Sequence, residues 1–304
     1  MTTSTPTAPL GDPSDAGRAE ERSAPDVVVG IDGSEVGLSA VRWAAVEAGR
    51  RGAPLRILHA APYLTHRARR GTPSPELPRA RSIIAQAYTV ARHTDHDLPV
   101  STDLVPGDPT STLLEAAANG QLVVLGSSTT GAADELVLAS VAVHVAARSP
   151  RPVIVVPRQR PGGADARPAV AVLGVGDRAD DEAVATFAAE AAERSGVGLT
   201  VLQTRPPQRR VADSWVDDPG EWQRRYPGLH VDRRDLPAPR ADQLLAATGA
   251  SPLLVISVGK GTLLHRFLDG PHRWLLRHCT SPMALIPQVH GRKDEPREEI
   301  TALG

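Results

Sequence analysis

The sequence predicts an α/β protein built from two tandem, doubly wound, five-stranded parallel sheets, each with strand order 3-2-1-4-5 and the second copy shortened. Three observations predict it. Continuous apolar runs of strand length alternate with segments of helical spacing. The alternation ends near residue 157 and begins again near residue 168. Aromatic residues make up only 3% of the 304, so Val, Leu, Ile and Ala must build the core, which suits helices packed on a parallel sheet.

The first 25 residues are rich in Thr, Ser, Pro, Ala and Asp and read as a disordered tail. DVVVGID then forms an apolar strand. EVGLSAVRWAAVEAGRRG places Leu38, Val41, Ala45 and Ala48 on one helical face and stops at Gly52. PLRILHA is a second strand. A variable segment, THRARRGTPSPELP, leads to the helix RARSIIAQAYTVARH and the weaker strand PVSTDLV. DPTSTLLEAAANG is a helix with Asp108 as its cap and Pro109 in its first position. QLVVLG is a strand, a small-residue loop follows, VAVHVAARSP is a helix, and RPVIVVP closes the first unit, 26–157.

Residues 158–167, RQRPGGADAR, read as a linker, and the unit then recurs over 168–287. PAVAVLGVGD matches PDVVVGIDGS, and EAVATFAAEAAERSG matches LSAVRWAAVEAGRRG, with Phe187 where Trp43 stands. GLTVLQT matches PLRILHA, ADQLLAATGASPLLVIS matches STLLEAAANGQLVVLGS, and RHCTSPMALIP matches AARSPRPVIVVP. The second copy lacks about one short helix in its middle. Each unit is long enough to enclose a core of its own, so this is a tandem duplication rather than a solenoid. Residues 288–304 form a charged tail.

Composition excludes several classes. The net charge of −1 provides no general basic field for nucleic acid or an anionic membrane. No apolar run is long enough for a transmembrane helix, and the N-terminus has no apolar signal core, so a cytoplasmic location is expected. Cys279 is the only cysteine, which excludes an intrachain disulfide and reads as a small buried hydrophobe.

In an open α/β sheet the ligand crevice lies beyond the carboxyl ends of the strands where the order reverses. That reversal brings the turn after the first strand, GIDGSE with Asp32, to the loop after the fourth, LGSSTTGAADELVLAS. Glycine lets backbone N–H groups approach phosphate, and Ser140, expected at a helix start, offers a hydroxyl where a helix N-terminus favours anions. The loop carries no lysine or arginine and two acids, Asp134 and Glu135.

VVVGIDGSEVGLSAVRWAAVEAGRRGAPLRILHA and LLEAAANGQLVVLGSS, with LASVAVHVAARSPRPVIVVP, resemble the universal stress proteins, well over 26–157 and more weakly over 168–287. The resemblance implies an adenine nucleotide α-hydrolase-like fold in tandem form. It implies a nucleotide site of Gly30, Asp32, Ala60, Leu125, Gly126, Thr129, Ala139, Ser140 and Val141, with ATP and Mg²⁺ as the expected ligands. Asp32 matches the family aspartate that meets the adenosine, and His59 and Ala60 fall where the family packs the adenine. Gly126 and Ser140 fit the loop motif, while Thr129 and Ala139 stand where the family has glycine. In the second unit Gly176 replaces the aspartate, with Asp177 beside it. Ile256 replaces the first loop glycine, Gly259 fits the second, and Asp269 and Gly270 replace the last pair. No ordinary ATP site is expected there, and Lys260, His265 and Arg266 read as a solvated basic face.

Other motifs are weaker. GVGDRA (174–179) has the spacing of a dinucleotide fingerprint, yet Gln203 stands where an acid is needed. GKGT (259–262) lacks the upstream P-loop glycine. HTDHD (93–97) reads as polar residues at a helix end rather than a metal site. THRARR (65–70) is too short for nucleic-acid binding.

The expectation is a stress-response ligand sensor that binds an adenine nucleotide in the first unit and signals through a partner surface. It is not expected to be an enzyme, beyond weak ATP hydrolysis. The rival reading is a nucleotide-free dimeric scaffold for stress resistance. The final strands PVIVVP and PMALIP are expected to pair with each other, since apolar edges are covered, and a homodimer is compatible with this.

Overall fold

The computed structural model describes residues 24–62, 64, 76–127, 135–158, 168–173, 178–204, 214–237, 239–248, 251–258 and 278–287. β1 (Val27–Gly30) has no polar side chain, and Val27, Val28 and Val29 are fully buried, because helices cover both faces of the strand. α1 (Glu35–Arg51) starts at Ser34, which has extended backbone and accepts the Gly37 N–H in its side chain, and stops at Gly52, whose φ of 60° suits glycine. Glu35 in its first turn and Arg50 and Arg51 in its last complement the helix dipole. β2 (Leu55–Ala60), α2 (Leu77–Thr94) and β3 (Val100–Val105) follow. Then come α3 (Pro109–Asn119), β4 (Leu122–Ser127), α4 (Glu135–Arg148) and β5 (Val153–Pro157).

The pattern repeats with β6 (Ala169–Leu173), α5 (Arg178–Ser195) and β7 (Leu199–Gln203). Gly196, at φ 65°, ends α5 as Gly52 ends α1. Where the first half has the 18-residue α2, the second has a 3-10 turn, Trp215–Asp217, and the seven-residue α6 (Pro219–Arg225). Trp215, Trp222 and Tyr226 pack ring against ring there, with centroids 4.9 to 6.3 Å apart, so bulky aromatics fill space that a longer helix occupies in the first half. β8 (Val231–Asp235), α7 (Ala241–Thr248), β9 (Leu254–Val258) and β10 (Met283–Pro287) complete the chain.

Each half has the predicted order, but the halves do not form two sheets. They merge into one ten-stranded sheet, β3-β2-β1-β4-β5-β10-β9-β6-β7-β8. The join is β5 against β10, the one antiparallel pair among the described strands. Met283 lies opposite Val155, Ala284 opposite Ile154, and Leu285 opposite Val153. Both strands are apolar throughout, so pairing removes two hydrophobic edges from water at once.

The core follows from this join. One layer gathers residues of α1, α2, α5 and α6 on one face, and the other gathers α3, α4 and α7 on the opposite face; both run across the two halves. The expected separate core for each unit is therefore replaced by two layers flanking a shared sheet. On the first face α1 approaches α5, where buried Glu47 accepts Arg51 Nε–H at 2.6 Å and lies 3.9 Å from Arg194 Nη2. The Arg51 guanidinium also stands 5.4 Å from the Phe187 ring centroid.

α4 starts six residues earlier than the expected Val141. ELVLAS contains no glycine or proline, and its residues tolerate a helix, so nothing breaks the turn before Val141. Among the described residues no helix is long and apolar enough to cross a membrane.

Candidate functional site

The strand order reverses between β2 and β4, on either side of β1, so the ends of β1 and β4 open side by side. Gly30 pairs with Leu125 in register, which sets the Asp32 turn next to the Gly126 turn. Between them is a cleft of about 170 Å³, lined by Gly30, Ile31, Asp32, Gly37, Leu58, His59, Ala60, Pro109, Leu113, Leu125, Gly126, Val141 and Ala142. Its walls are mostly aliphatic, with a few polar groups at the strand ends, as small-molecule sites generally are.

Asp32 is the charged side chain in that lining. Its Oδ1 accepts both the Ser34 N–H, at 2.9 Å, and the Ser34 hydroxyl, at 2.7 Å. Ser34 Oγ in turn accepts the Gly37 N–H at 3.0 Å. The carboxylate is thereby fixed to the first turn of α1 by one oxygen, while Oδ2 has no hydrogen-bond partner among the described residues. A second fixed group is His59, buried at 5% exposure, whose Nδ1 lies 2.8 Å from the Ile31 carbonyl. A carbonyl only accepts, so Nδ1 carries the proton and donates it.

Glycines make the close approaches. A Cβ on Gly30 would stand 2.7 Å from Leu125 Cδ2 and 2.8 Å from Leu113 Cδ2, and one on Gly37 would stand 2.9 Å from Asp32 Oδ1. Gly33, at φ 87°, makes the turn itself. On the far wall α3 begins with Asp108, whose Oδ2 accepts the Ser111 N–H at 2.9 Å and the Ser111 hydroxyl at 3.0 Å. The backbone bond from Ser111 is the main reason this carboxyl titrates below the usual aspartate range.

Of the expected nucleotide set, Gly30, Asp32, Ala60, Leu125, Gly126 and Val141 line this cleft. Thr129 lies outside the described residues. Ala139 and Ser140 fall inside α4, so Ser140 is in the helix's second turn and not at its start. The unbonded N–H groups of a helix belong to its first four residues, which moves them from Ser140 to Glu135 and its neighbours. Asp134, immediately before Glu135, is the type of residue that starts helices, and this was the available signal for the earlier start. Pro109, Leu113 and Gly37 were missed because they come from the flanks of helices whose sequence shows only a cap and an apolar face.

In the second half Gln203 holds the place of His59. It is buried, and its Nε2–H donates to Asp217 Oδ1 at 3.3 Å, which Arg233 Nη2 also approaches at 3.3 Å. Gly176, Asp177, Gly259, Lys260, His265, Arg266, Asp269 and Gly270 lie outside the described residues, as do the fingerprint turn and GKGT.

The profile of the universal stress protein family matches residues 25–157. Residues 25–157 thus carry a universal stress protein domain. The likeness extends further: a universal stress protein of Mycolicibacterium smegmatis is 27% identical over 291 residues, covering 86% of this chain and 96% of the relative. One of Mycobacterium tuberculosis is 27% identical over 287 residues, covering 86% and 97%. A universal stress protein crystal structure from Archaeoglobus fulgidus superposes with a TM-score of 0.69 at 14% identity, over 88% of this chain and 97% of that one, and so agrees in fold. Of the other motifs, HTDHD and Cys279 lie within the described residues. Asp95 Oδ1 accepts the Asp97 N–H at 3.1 Å just past α2, and no group of three or more metal-ligating side chains occurs among the described residues. Cys279 is buried, its thiol donates to the Ser281 carbonyl at 3.6 Å, and burial pushes its pKa up.

Proposed function

We propose that the cleft between the ends of β1 and β4 binds an adenine nucleotide, and that the protein is a ligand sensor of the universal stress family. The observation that carries this reading is that Asp32 and Gly126, nearly a hundred residues apart, line one hollow at the sheet's switch point. The aliphatic walls suit a flat base, and the open Asp32 oxygen suits a hydroxyl or amino donor. Nothing in the lining is arranged as a nucleophile with its base, which supports sensing over turnover. Binding would reach α4 through Val141 and Ala142 of the lining and so alter a partner surface. ATP with Mg²⁺ is the ligand implied by the family resemblance, and Asp32 and the turn after Gly126 are the residues that would meet it.

The division into units at 26–157 and 168–287 belongs to the same reading, with β5 and β10 as the pairing surface and a homodimer as a further level of assembly. The test is calorimetry of the purified protein with ATP, AMP and cyclic AMP, repeated with Asp32→Ala. Binding that is lost in the variant is expected. No heat with any of the nucleotides at millimolar concentration would overturn the sensor.

A scaffold without nucleotide is the second reading. It is favoured by the tight seating of Gly126 on α1, since that contact requires glycine whether or not a ligand binds.

A further inference from the structure

Resting on that reading, we infer that the cleft selects by charge: it takes an adenine ligand with little or no negative charge, the nucleoside above all, and rejects di- and triphosphates. A site for several phosphates needs cations or unsatisfied N–H groups; the described lining holds no cation, and the helix ends beside it are capped by the chain itself. No lysine or arginine lines the cleft, and its charged side chain is the Asp32 carboxylate.

Two helices begin at the cleft, and each is capped by the chain itself. At α1 the Gly37 N–H is taken by Ser34, which is held by Asp32. At α3, Asp108 directly precedes Pro109 of the lining, and its carboxylate takes the Ser111 N–H. These N-termini, which would otherwise favour an anion, thus carry carboxylates already.

α4 adds no such end, because Val141 of the lining is six residues from its start at Glu135, about 9 Å along the axis. On the side facing α1, Gly126 is covered by backbone: a Cβ there would lie 2.8 Å from the Val36 carbonyl oxygen. The Asp32 carboxylate and an aliphatic wall therefore face the ligand. Every phosphate charge added to it meets net repulsion, which salt screens.

The test compares adenosine, AMP and ATP on the full chain by calorimetry, with and without Mg²⁺, at about 50 mM and about 500 mM salt. Adenosine is expected to bind at least about tenfold more tightly than ATP, a gap of about 1.4 kcal/mol. ATP binding should tighten at the higher salt while adenosine binding stays level. ATP binding as tightly as adenosine, or Mg²⁺-ATP binding more tightly, overturns the charge selection and leaves the nucleotide reading intact. Absence of binding by all three ligands overturns the nucleotide reading itself.

Discussion

Gly126 of β4 sits against the Val36 peptide of α1 so closely that a Cβ would lie 2.8 Å from both the carbonyl carbon and the oxygen of Val36, and 3.0 Å from Gly37 N. Its φ is not positive; among the described residues the positive glycine angles belong to Gly33, Gly52 and Gly196. Glycine is therefore required by contact between two backbones, neither of which can move like a side chain. Gly126→Ala should destabilise the protein by about 1–3 kcal/mol, the usual range for overpacking. Urea unfolding without ligand would show this as a lower midpoint, and an unchanged midpoint would mean that α1 can retreat from the strand freely.

Ser34→Ala tests the link between cap and carboxylate. It removes the acceptor of the Gly37 N–H and the hydroxyl held by Asp32. Loss of an N-cap costs about 1 kcal/mol. It also leaves Asp32 tethered by the Ser34 N–H, so affinity for the proposed nucleotide should fall severalfold alongside stability. Calorimetry of the variant below its unfolding transition would separate the two effects. A stability loss with full affinity would show that Asp32 does not need the cap to hold its place.

The doubly wound order was legible because buried parallel strands leave continuous apolar runs such as VVVG and LVVLGS, and because Gly52 and Gly196 punctuate matching helices. The join into one sheet followed only in outline. Two apolar end strands predict that their edges are covered, but not that the helical layers then run across both halves. β8 was hard to see because VDRRD, on an outer edge, has no apolar face to announce it. At the cleft, Asp32 and Gly126 were legible from topology. Gly37 and Leu113 were not, since their places depend on how helices lie on strands. Ser140 was misplaced because its hydroxyl mimics a cap, while the apolar ELVLA before it continues the helix.

The Glu47 cluster gives a third expectation. Arg51 and Arg194 share one buried carboxylate, and Arg51 Nη2 and Arg194 Nε have no hydrogen-bond partner among the described residues. Burial pulls the Arg51 guanidinium below its usual range, and Glu47 opposes that shift. Removing the carboxylate leaves two partly buried cations close together, with Glu190 at 3.5 Å from Arg194 as the remaining counter-charge, so Glu47→Ala should cost about 1–3 kcal/mol. The triple variant Glu47→Leu, Arg51→Met, Arg194→Met removes these three charges, leaving the half-exposed Glu190, and should be more stable than Glu47→Ala alone. Denaturant midpoints of the two variants decide this, and a triple variant below the single one would show that the charges hold α1 against α5.

Asp108 makes stability depend on pH at one identifiable place. The Ser111 backbone N–H holds its carboxyl below the ordinary aspartate value of about 3.9 in the folded chain. A depressed folded-state pKa stabilises above the unfolded value, and that contribution is lost as pH falls through the folded one. Asp108→Ala should therefore unfold at a lower urea concentration at pH 7, by the equivalent of about 1 kcal/mol for a lost cap. The gap should narrow steadily below about pH 4 as the wild-type carboxyl takes up its proton. Asp108→Asn caps without titrating, so its separation from Asp108→Ala should stay level over the same range. If both gaps change together, the pH dependence comes from elsewhere in the chain and the Ser111 contact does not set it.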